Sequence, residues 1–356
     1  MVKEIDGSIG EGGGQVLRFA VSAAALLGEE IKVYNVRAKR KPPGLRPQHI
    51  AAIRAVAEVC GGVVEGLEVG SSKISLRPSR PRAGRYLFDT GTAGSTSLVL
   101  QSLLPVLCFA DGVCDVEIRG GTNNPLAPPV DYIQEVLIPA LRRMGVEVEL
   151  TLVRRGFYPR GQGVIKVRTQ PVREIRPIEA VGAEVREVEI FAYSCNLPDH
   201  IVRRMAATAE SELKRAGYRE IVVKTEVLGP GDSKASPDPG TGILIVARLD
   251  NGLAMGFDAL GEKGVPAEVV AERAVEDALS QLSTGAPIDK HLADQLVIWM
   301  ALAKGESRIG VGSLTSHTET GIEVLSRLTS AKFRVERRVK GGVEIFCRGI
   351  GFGRGG

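Results

Sequence analysis

A pattern that recurs three times along the chain constrains its fold more than any other feature of the sequence. In each copy a glycine-rich turn leads into an apolar helix, and the three stretches span residues 10–28, 91–112 and 285–305. Each stretch ends on a glycine, which we expect to cap its helix in the left-handed conformation. A short strand with alternating apolar residues follows each helix, at residues 31–36, 113–118 and 307–311.

The second half of each copy has the same order of elements. A loop rich in polar residues or in glycine and proline is followed by an amphipathic helix. These second helices are predicted to begin near Gln48, Asp131 and Thr318. Strand-like sequence comes next, at residues 63–76, 146–152 and 335–345. The sequence therefore predicts an α/β protein in which three repeated α/β sandwich units form one large domain.

Extra sequence between the second and third copies interrupts this order. It is predicted to form a strand, a helix, a strand, two further strands and a helix, which is enough for a small α/β domain. We therefore divide the chain into a large domain, residues 1–184 (repeats one and two) and 281–340 (repeat three), and an inserted small domain, residues 185–280. Residues 341–356 supply the last strand and a glycine-rich tail, 349–356, which we expect to fray.

Length and composition exclude several classes of protein. A chain of 356 residues with 44% hydrophobic residues suits two globular domains. No apolar run of about 18 residues occurs, so we expect no membrane span, and the N-terminus has the features of neither a signal nor a transit peptide. The five cysteines form no C-x-x-C pair, and their odd number argues against a disulfide framework. We expect a reducing, cytoplasmic compartment.

The charge distribution indicates a local anion site. The net charge is only +4, yet residues 31–57 contain no acidic residue. The basic residues of this segment are Lys32, Arg37, Lys39, Arg40, Lys41, Arg46 and Arg54. A concentrated cationic block on a nearly neutral protein favours a site for a polyanion. A solvated basic loop is the alternative interpretation.

The loops that precede the second helices are the candidate site. If the three copies are related by pseudo-symmetry, loops 37–48, 120–131 and 312–317 occupy equivalent places and can converge. His317 ends the third loop among small hydroxyl residues at a helix start, where a phosphoryl group is favoured. Of the other histidines, His49 flanks the cationic loop and His200 begins a surface helix without an expected role. No pair of histidines has metal-ligand spacing.

The glycine-rich turn at residues 10–15 adds a second anion-binding element. Its backbone amides and the helix start behind it suit a phosphate. Glu11 is unusual in such a turn unless it faces a metal that accompanies a phosphate. Gln15 and Arg18 lie one helical turn apart on one face, and Arg18 interrupts an otherwise apolar helix. The chain has no Walker A sequence, so a nucleotide must be bound in another way.

Seven segments of the chain resemble the RNA 3'-terminal phosphate cyclases, in the family's order and over essentially the whole length. They are GEGGGQVLR (10–18), RAKRKPPGLRPQH (37–49), GTAGSTSLVLQ (91–101), GGTNNPLAPPVDYI (120–133), RRGFYPRGQG (154–163), HLADQLV (291–297) and SHTETGIEVL around His317. The resemblance implies three repeated α/β units with a small inserted domain. It also implies conversion of an RNA 3'-phosphate into a 2',3'-cyclic phosphate with ATP as co-substrate and a divalent metal, Mg²⁺ or Mn²⁺.

The resemblance also implies roles for individual residues. His317 would be the nucleophile that takes AMP, and Glu11 the metal-binding acid. The residues expected to hold the RNA terminal phosphate and the ATP phosphates are Gln15, Arg18, Arg37, Arg40 and Gln48. The residues expected near the nucleotide are Gln101, Pro128, His291, Asp294 and Gln295. His291 stands where some family members carry a tyrosine. The implied partners are RNA 3'-phosphate ends and ATP, and a homo-oligomer is compatible with them.

Two alternatives have different functions. A non-catalytic, RNA-binding ribosome-assembly factor shares the fold, but that branch lacks the nucleophilic histidine, and His317 is present. An enolpyruvyl transferase also stacks repeated α/β units around phosphorylated substrates, but it leaves the seven ordered segments unexplained.

Overall fold

The first two repeats form sheets with the same strand order. The computed structural model describes residues 2–338 and 341–353, and within these residues the strands form four four-stranded sheets. The first sheet has the order β1-β2-β4-β3, and its strands are β1 (Lys3–Asp6), β2 (Ile31–Tyr34), β3 (Val63–Glu65) and β4 (Ile74–Arg77). The second has the order β5-β6-β8-β7, and its strands are β5 (Gly84–Asp89), β6 (Cys114–Gly120), β7 (Val148–Arg154) and β8 (Gly163–Thr169).

Helices connect the strands of both sheets in the same way. Those of the first repeat are α1 (Gly14–Leu27) and α2 (Pro47–Val59). Those of the second are α3 (Thr96–Cys108) and a helix in three parts, α4 (Val130–Tyr132), a π turn (Ile133–Leu137) and α5 (Ile138–Arg143). Helix α1 joins β1 to β2, and α3 joins β5 to β6, so each of these strand pairs is parallel.

The chain then leaves the repeats for the predicted insertion. After a short strand, β9 (Glu179–Ala180), it forms a sheet with the order β11-β10-β12-β13 and two helices. Its elements are β10 (Val185–Cys195), α6 (Asp199–Arg215), β11 (Ile221–Leu228), β12 (Gly240–Leu249), β13 (Ala254–Leu260) and α7 (Ala267–Leu282). This order of elements is the predicted one.

The third repeat closes around the insertion. Its later elements are α8 (Lys290–Leu302), β14 (Glu306–Val311), α9 (Ser316–Leu328), β15 (Lys332–Arg337) and β16 (Val343–Arg348). Its sheet has the order β15-β16-β14-β9, and β9 pairs in parallel with β14 from the other side of the insertion. Read from β9, the strands of this repeat lie in the order first, second, fourth and third, as in the other two repeats. The predicted α/β class with repeated units is confirmed.

Two details of the predicted repeat need correction. Each unit begins with a strand before its first helix, namely β1, β5 or β9, which the helix-first pattern omitted. Of the three first helices of the repeats, α1 alone has the predicted left-handed glycine cap, in which the Gly28 N–H donates to Ala24 O. At the end of α3, Val172 N donates to Cys108 O instead. At the end of α8, the backbone N–H groups of Ile350, Gly351 and Phe352 donate to the carbonyls of Ala301, Ala303 and Leu302. Gly112 and Gly305 therefore cap neither helix.

The predicted fraying of the tail is wrong as far as residue 353. The Phe352 ring packs edge-on against Phe109 at a centroid distance of 4.8 Å, and Phe352 N donates to Leu302 O. A partly buried aromatic ring gives the tail a hydrophobic anchor that its glycines do not reveal. Residues 354–356 of the predicted tail lie outside the described residues.

Close helix packing places the third repeat over the first. The largest hydrophobic core runs through the repeats and the insertion without a break, and the division into two domains stays a prediction. Within this core α9 lies against α1 and α8. A Cβ on Gly321 would lie 2.6 Å from the Phe19 ring, so only glycine allows α9 to approach α1 this closely. The start of α9 therefore lies beside the start of α1.

Candidate active site

A cleft of about 1000 Å³ lies where the repeats meet the insertion. Eight of the predicted site residues line it: Gln15, Arg18, Gln101, Pro128, His291, Asp294, Gln295 and His317. They come from the first helices of all three repeats, the loop before α4 and the start of α9. The structure thus brings together residues that are up to 302 positions apart in the chain. Glu11, Arg37, Arg40 and Gln48 do not line the cleft itself.

The start of α9 is held by a carboxylate from α8. Thr315 is the N-cap residue, and its Oγ1 accepts a hydrogen bond from Thr318 N at 2.9 Å. Both threonine hydroxyls donate to Asp294 Oδ1, at 2.5 Å from Thr315 and 2.6 Å from Thr318. Burial raises the pKa of Asp294, and these two hydrogen bonds oppose the rise. Asp294 therefore fixes the turn that presents His317.

The environment of His317 sets which ring nitrogen carries the proton. Its Nδ1 lies 2.5 Å from Glu11 Oε1 and 2.5 Å from Gln15 Oε1. The contact with Gln15 has hydrogen-bond geometry, and an amide oxygen only accepts, so this contact places the proton on Nδ1. In the neutral ring the lone pair is then on Nε2. The side chain is 44% exposed, which leaves this nitrogen accessible from the cleft.

Arg18 supplies a cation to the cleft. Its Nε donates to Gln101 Oε1 at 2.7 Å, and among the described residues no carboxylate lies within ion-pair distance of it. Burial lowers the pKa of Arg18 to about 10, while Glu11 and Asp294 act in the opposite direction. Arg18 is therefore still a cation at neutral pH. A partly buried guanidinium with donors to spare suits a phosphate or another anion.

The cationic loop reaches this site through Arg40. Arg40 Nη2 binds Glu11 Oε2 at 2.8 Å, so Glu11 links Arg40 to His317. Arg37 is turned toward its own loop, and its Nη1 donates to Pro42 O at 3.0 Å and Gly44 O at 2.8 Å. The Gln48 side chain lies beside Gly94, in the turn before α3. The structure thus brings Arg40 to the site but does not place the Arg37 guanidinium in the cleft.

His49 has a packing role at the edge of the site. Its Nδ1 accepts a hydrogen bond from Arg46 N at 3.2 Å, which matches its predicted place beside the cationic loop. Burial, together with the charges of Arg18, Arg37 and Arg46, lowers the pKa of His49 to about 3. A Cβ on Gly14 would lie 2.4 Å from His49 Nε2. Gly14 therefore lets the start of α1 approach a neutral, buried imidazole.

The start of α8, the helix that carries His291, Asp294 and Gln295, is held by Asp289, which sequence reasoning missed. This buried carboxylate caps α8, and its Oδ1 accepts from the backbone N–H groups of His291 and Leu292 and from Tyr132 Oη. Its Oδ2 accepts from Gly256 N in the insertion. The Tyr132 and His291 rings meet edge-on at a centroid distance of 6.4 Å. The signal for Asp289 was an aspartate directly before a predicted helix, which is typical of an N-cap.

A second buried network, also missed, supports the loop that carries Pro128. Arg155 has no exposed side-chain surface and donates two hydrogen bonds to Asp131, each of 2.8 Å. Its Nε binds Glu226 of β11 at 2.6 Å, and its guanidinium lies 4.2 Å from the Tyr193 ring centroid. Burial lowers the pKa of Arg155, but Asp131, Tyr193 and Glu226 together outweigh this effect and raise it. Pro128 O also accepts from Ser97 Oγ at 2.6 Å, which ties the loop to α3.

The insertion adds an acid that the sequence did not single out. Asp258 of β13 lines the cleft, and burial raises its pKa to about 6. The charge of His291 lowers it, while Asp277, Asp289 and Asp131 add to the rise. The insertion therefore forms part of the wall of the site.

The expected metal has one candidate ligand here. Among the described residues no group of three or more His, Cys, Asp or Glu side chains is placed to hold a metal ion. Glu11 Oε1 is buried and, apart from its contact with His317, has no hydrogen-bond partner in the described part of the chain. Mg²⁺ is often bound by one or two carboxylates together with substrate phosphates and water. Glu11 thus fits a cation that enters with a phosphate ligand.

None of the helices in the described part of the chain is long and apolar enough to cross a membrane.

Comparisons with known proteins show which proteins this chain is similar to. A sequence model of the family RNA 3'-terminal phosphate cyclase matches residues 9–335. A protein of that name from Desulfurococcus amylolyticus is 43% identical over 355 residues, which cover 99% of each chain. One from Methanopyrus kandleri is 43% identical over 91% of this chain and 92% of its own, and one from Hyperthermus butylicus is 44% identical over 91% and 90%.

Proposed function

Because the chain belongs to the RNA 3'-terminal phosphate cyclase family, we propose that it uses ATP to convert the 3'-terminal phosphate of an RNA into a 2',3'-cyclic phosphate. The observation that carries the chemistry is the pair of oxygens around His317 Nδ1. They keep the proton on that nitrogen and leave Nε2 as a nucleophile. A non-catalytic RNA-binding protein would have no use for this arrangement.

In the first step His317 Nε2 attacks the α-phosphorus of ATP. The N–P bond forms as the bond to the leaving pyrophosphate breaks, which gives a histidine–AMP phosphoramidate. The imidazole becomes positively charged as it attacks, and the Glu11 carboxylate 2.5 Å from Nδ1 stabilises that charge. Arg18, a cation in the cleft without a carboxylate partner in the described residues, neutralises charge on the phosphates.

In the second step an oxygen of the RNA 3'-phosphate attacks the same phosphorus. His317 is the leaving group, and the product is an RNA joined to AMP through a 3'-to-5' pyrophosphate. The neighbouring 2'-hydroxyl then attacks the RNA phosphorus, loses its proton and expels AMP. This last step is intramolecular, so proximity alone lowers its barrier by several kcal/mol, on the order of 7 with good alignment.

Other residues bind and orient the substrates in this proposal. Gln101, Pro128, His291, Asp294 and Gln295 hold the adenine nucleotide, and Gln15 joins Arg18 on the phosphates. Arg37, Arg40 and Gln48 do not line the cleft, so in this proposal their side chains turn toward it when the RNA 3'-phosphate binds. Asp294 Oδ1 is engaged by Thr315 and Thr318, so its other oxygen is left to accept from the nucleotide. Glu11 would hold a Mg²⁺ or Mn²⁺ that accompanies ATP, and this cation would neutralise phosphate charge.

Labelling with ATP carrying ³²P at the α-phosphorus tests the proposal. The protein should take up acid-labile label, and a short RNA ending in a 3'-phosphate should then gain a cyclic end. His317→Ala should abolish the labelling without changing the thermal midpoint of unfolding. His200→Ala is the matched control, because His200 is exposed on α6 and does not line the cleft. A labelled His317→Ala protein would contradict the mechanism.

A further inference from the structure

Two large apolar side chains project from the wall of the cleft. Tyr158 is 74% exposed and Leu126 is fully exposed, and both line the cleft with His317. Leu126 also has φ at 63°, a left-handed conformation that is unfavourable for a leucine. A glycine there would avoid the strain, and neither exposed side chain adds to the hydrophobic core. Their positions point to a ligand.

The segment that carries Tyr158 is held rigidly by backbone hydrogen bonds on both sides of the ring. Phe157 N donates to Ser236 Oγ at 3.1 Å, and Gly161 N donates back to Phe157 O at 2.7 Å. Arg160 binds Asp238 through its backbone N–H at 2.8 Å and its Nε at 2.9 Å. The exposed ring therefore stands on a fixed turn, and binding a flat partner would cost little conformational entropy.

The rest of the cleft suits a nucleic-acid strand. Arg18, Lys263 and Arg273 line it beside the acids Asp258, Glu262 and Asp294, and Arg273 is paired with Glu262. The side-chain amides of Asn124 and Gln101, each with one hydrogen bond inside the protein, have a further donor or acceptor left. Aromatic rings next to cationic groups are the usual means by which proteins bind single-stranded RNA, since bases stack on the rings while cations contact the phosphates. The same cleft contains the nucleophile, so a strand bound there has its end near His317.

We propose that Tyr158 and Leu126 form a platform on which a base close to the 3' end of the RNA stacks. The proposal rests on the proposed function, because it takes the RNA 3' end as the ligand of this cleft. If the platform exists, the enzyme recognises a base next to the terminal phosphate as well as the phosphate itself. Stacking tolerates any base, so the platform selects single strands without selecting a sequence.

Direct RNA binding tests the platform without depending on catalysis. Fluorescence anisotropy would give the affinity of a labelled single-stranded RNA with a 3'-phosphate for the wild type and for Tyr158→Ala. We expect the variant to bind about 5- to 150-fold more weakly, the range for loss of one stacked base. Tyr158→Phe should bind nearly as well as the wild type. Tyr34→Ala is the matched control, since Tyr34 is 39% exposed and does not line the cleft.

RNAs that lack one base near the 3' end identify the stacked nucleotide. For the RNA without that base, the wild type and Tyr158→Ala should bind alike. Leu126→Gly should also weaken RNA binding, yet raise the thermal midpoint or leave it unchanged, because glycine relieves the positive φ. If Leu126 had a purely structural role, its replacement would not lower the RNA affinity while the thermal midpoint stayed the same or rose.

Three results would overturn the platform. One is unchanged RNA affinity in Tyr158→Ala. Another is an equal loss for every RNA, including those without bases, which would mean a structural role. The third is loss of labelling by ATP in Tyr158→Ala, which would mean that the Tyr158 ring contacts the adenine of ATP. A wild type that binds RNA but forms neither label nor cyclic phosphate would count against the proposed function alone.

Discussion

Replacement of Arg155 by methionine should destabilise the fold severely. Methionine keeps much of the volume but removes the charge that faces Asp131 and Glu226. Glu226 keeps Lys234 as a partner, whereas Asp131, with 8% of its side chain exposed, loses both of its 2.8 Å hydrogen bonds to Arg155. Breaking a buried ion pair from one side typically costs about 3–5 kcal/mol. We therefore expect a loss of that size in the free energy of unfolding.

Urea unfolding followed by circular dichroism would measure this loss. Adding Asp131→Asn to Arg155→Met removes the orphaned charge, so the double variant should regain at least about 1 kcal/mol relative to the single one. Arg155→Lys should fall between the wild type and the methionine variant, because an ammonium cannot make the bidentate pair. The reasoning is refuted if Arg155→Met unfolds at the wild-type urea concentration, or if the double variant is less stable than the single one.

Four further predictions concern the site. With an RNA that ends in a 2'-deoxy 3'-phosphate, the RNA–AMP pyrophosphate should accumulate and be detected by mass spectrometry. If the enzyme is labelled but every RNA end stays unreacted, the proposed order of steps is refuted. Arg37→Ala and Arg40→Ala should slow AMP transfer to RNA more than enzyme labelling, whereas equal losses would assign them to ATP or to the scaffold. Gly14→Ala should lower the thermal midpoint, because its Cβ would overlap His49, and an unchanged midpoint would contradict the contact. The pKa of His49 is about 3 in the folded protein and about 6.5 in the unfolded chain, so the neutral imidazole stabilises the fold fully above pH 6.5. This stabilisation is lost as pH falls toward 3. The thermal midpoint of His49→Gln should therefore fall less between pH 7 and pH 5 than that of the wild type.

Local patterns in the sequence predict the repeated elements and most of the cleft. Glycine-rich turns and helical periodicity identify α1, α3 and α8, and equivalent loops in a repeat must lie at equivalent places. For this reason the repeat pattern alone groups His317 with loops 37–48 and 120–131. Its grouping with the residues of α1 and α8 comes from the resemblance to the cyclases. Which of them contact RNA or ATP stays a prediction.

The supporting residues escaped notice because their partners are distant in sequence. Tyr132 and Asp289 are 157 positions apart, and Arg155 and Glu226 are 71 apart. No local sequence pattern reveals such pairs. From the sequence, the buried Arg155 and the helix cap Asp289 therefore look like surface residues. Strand β9 was missed for a different reason: two residues are too few to show an alternating pattern.

The interrupted third repeat has a consequence for synthesis on the ribosome. Strands β1 and β2 are separated by one helix and can pair soon after they emerge. At the junction of β9 and β14, Ile178 and Ser307 are 129 positions apart. At about 5–20 residues per second, β9 waits on the order of 10 s for its partner. An unpaired strand can form hydrogen bonds with strands other than its native partner. Because β9 has only two residues, it offers little backbone for such pairing. The shortness of β9 thus protects the nascent chain until the insertion has been made.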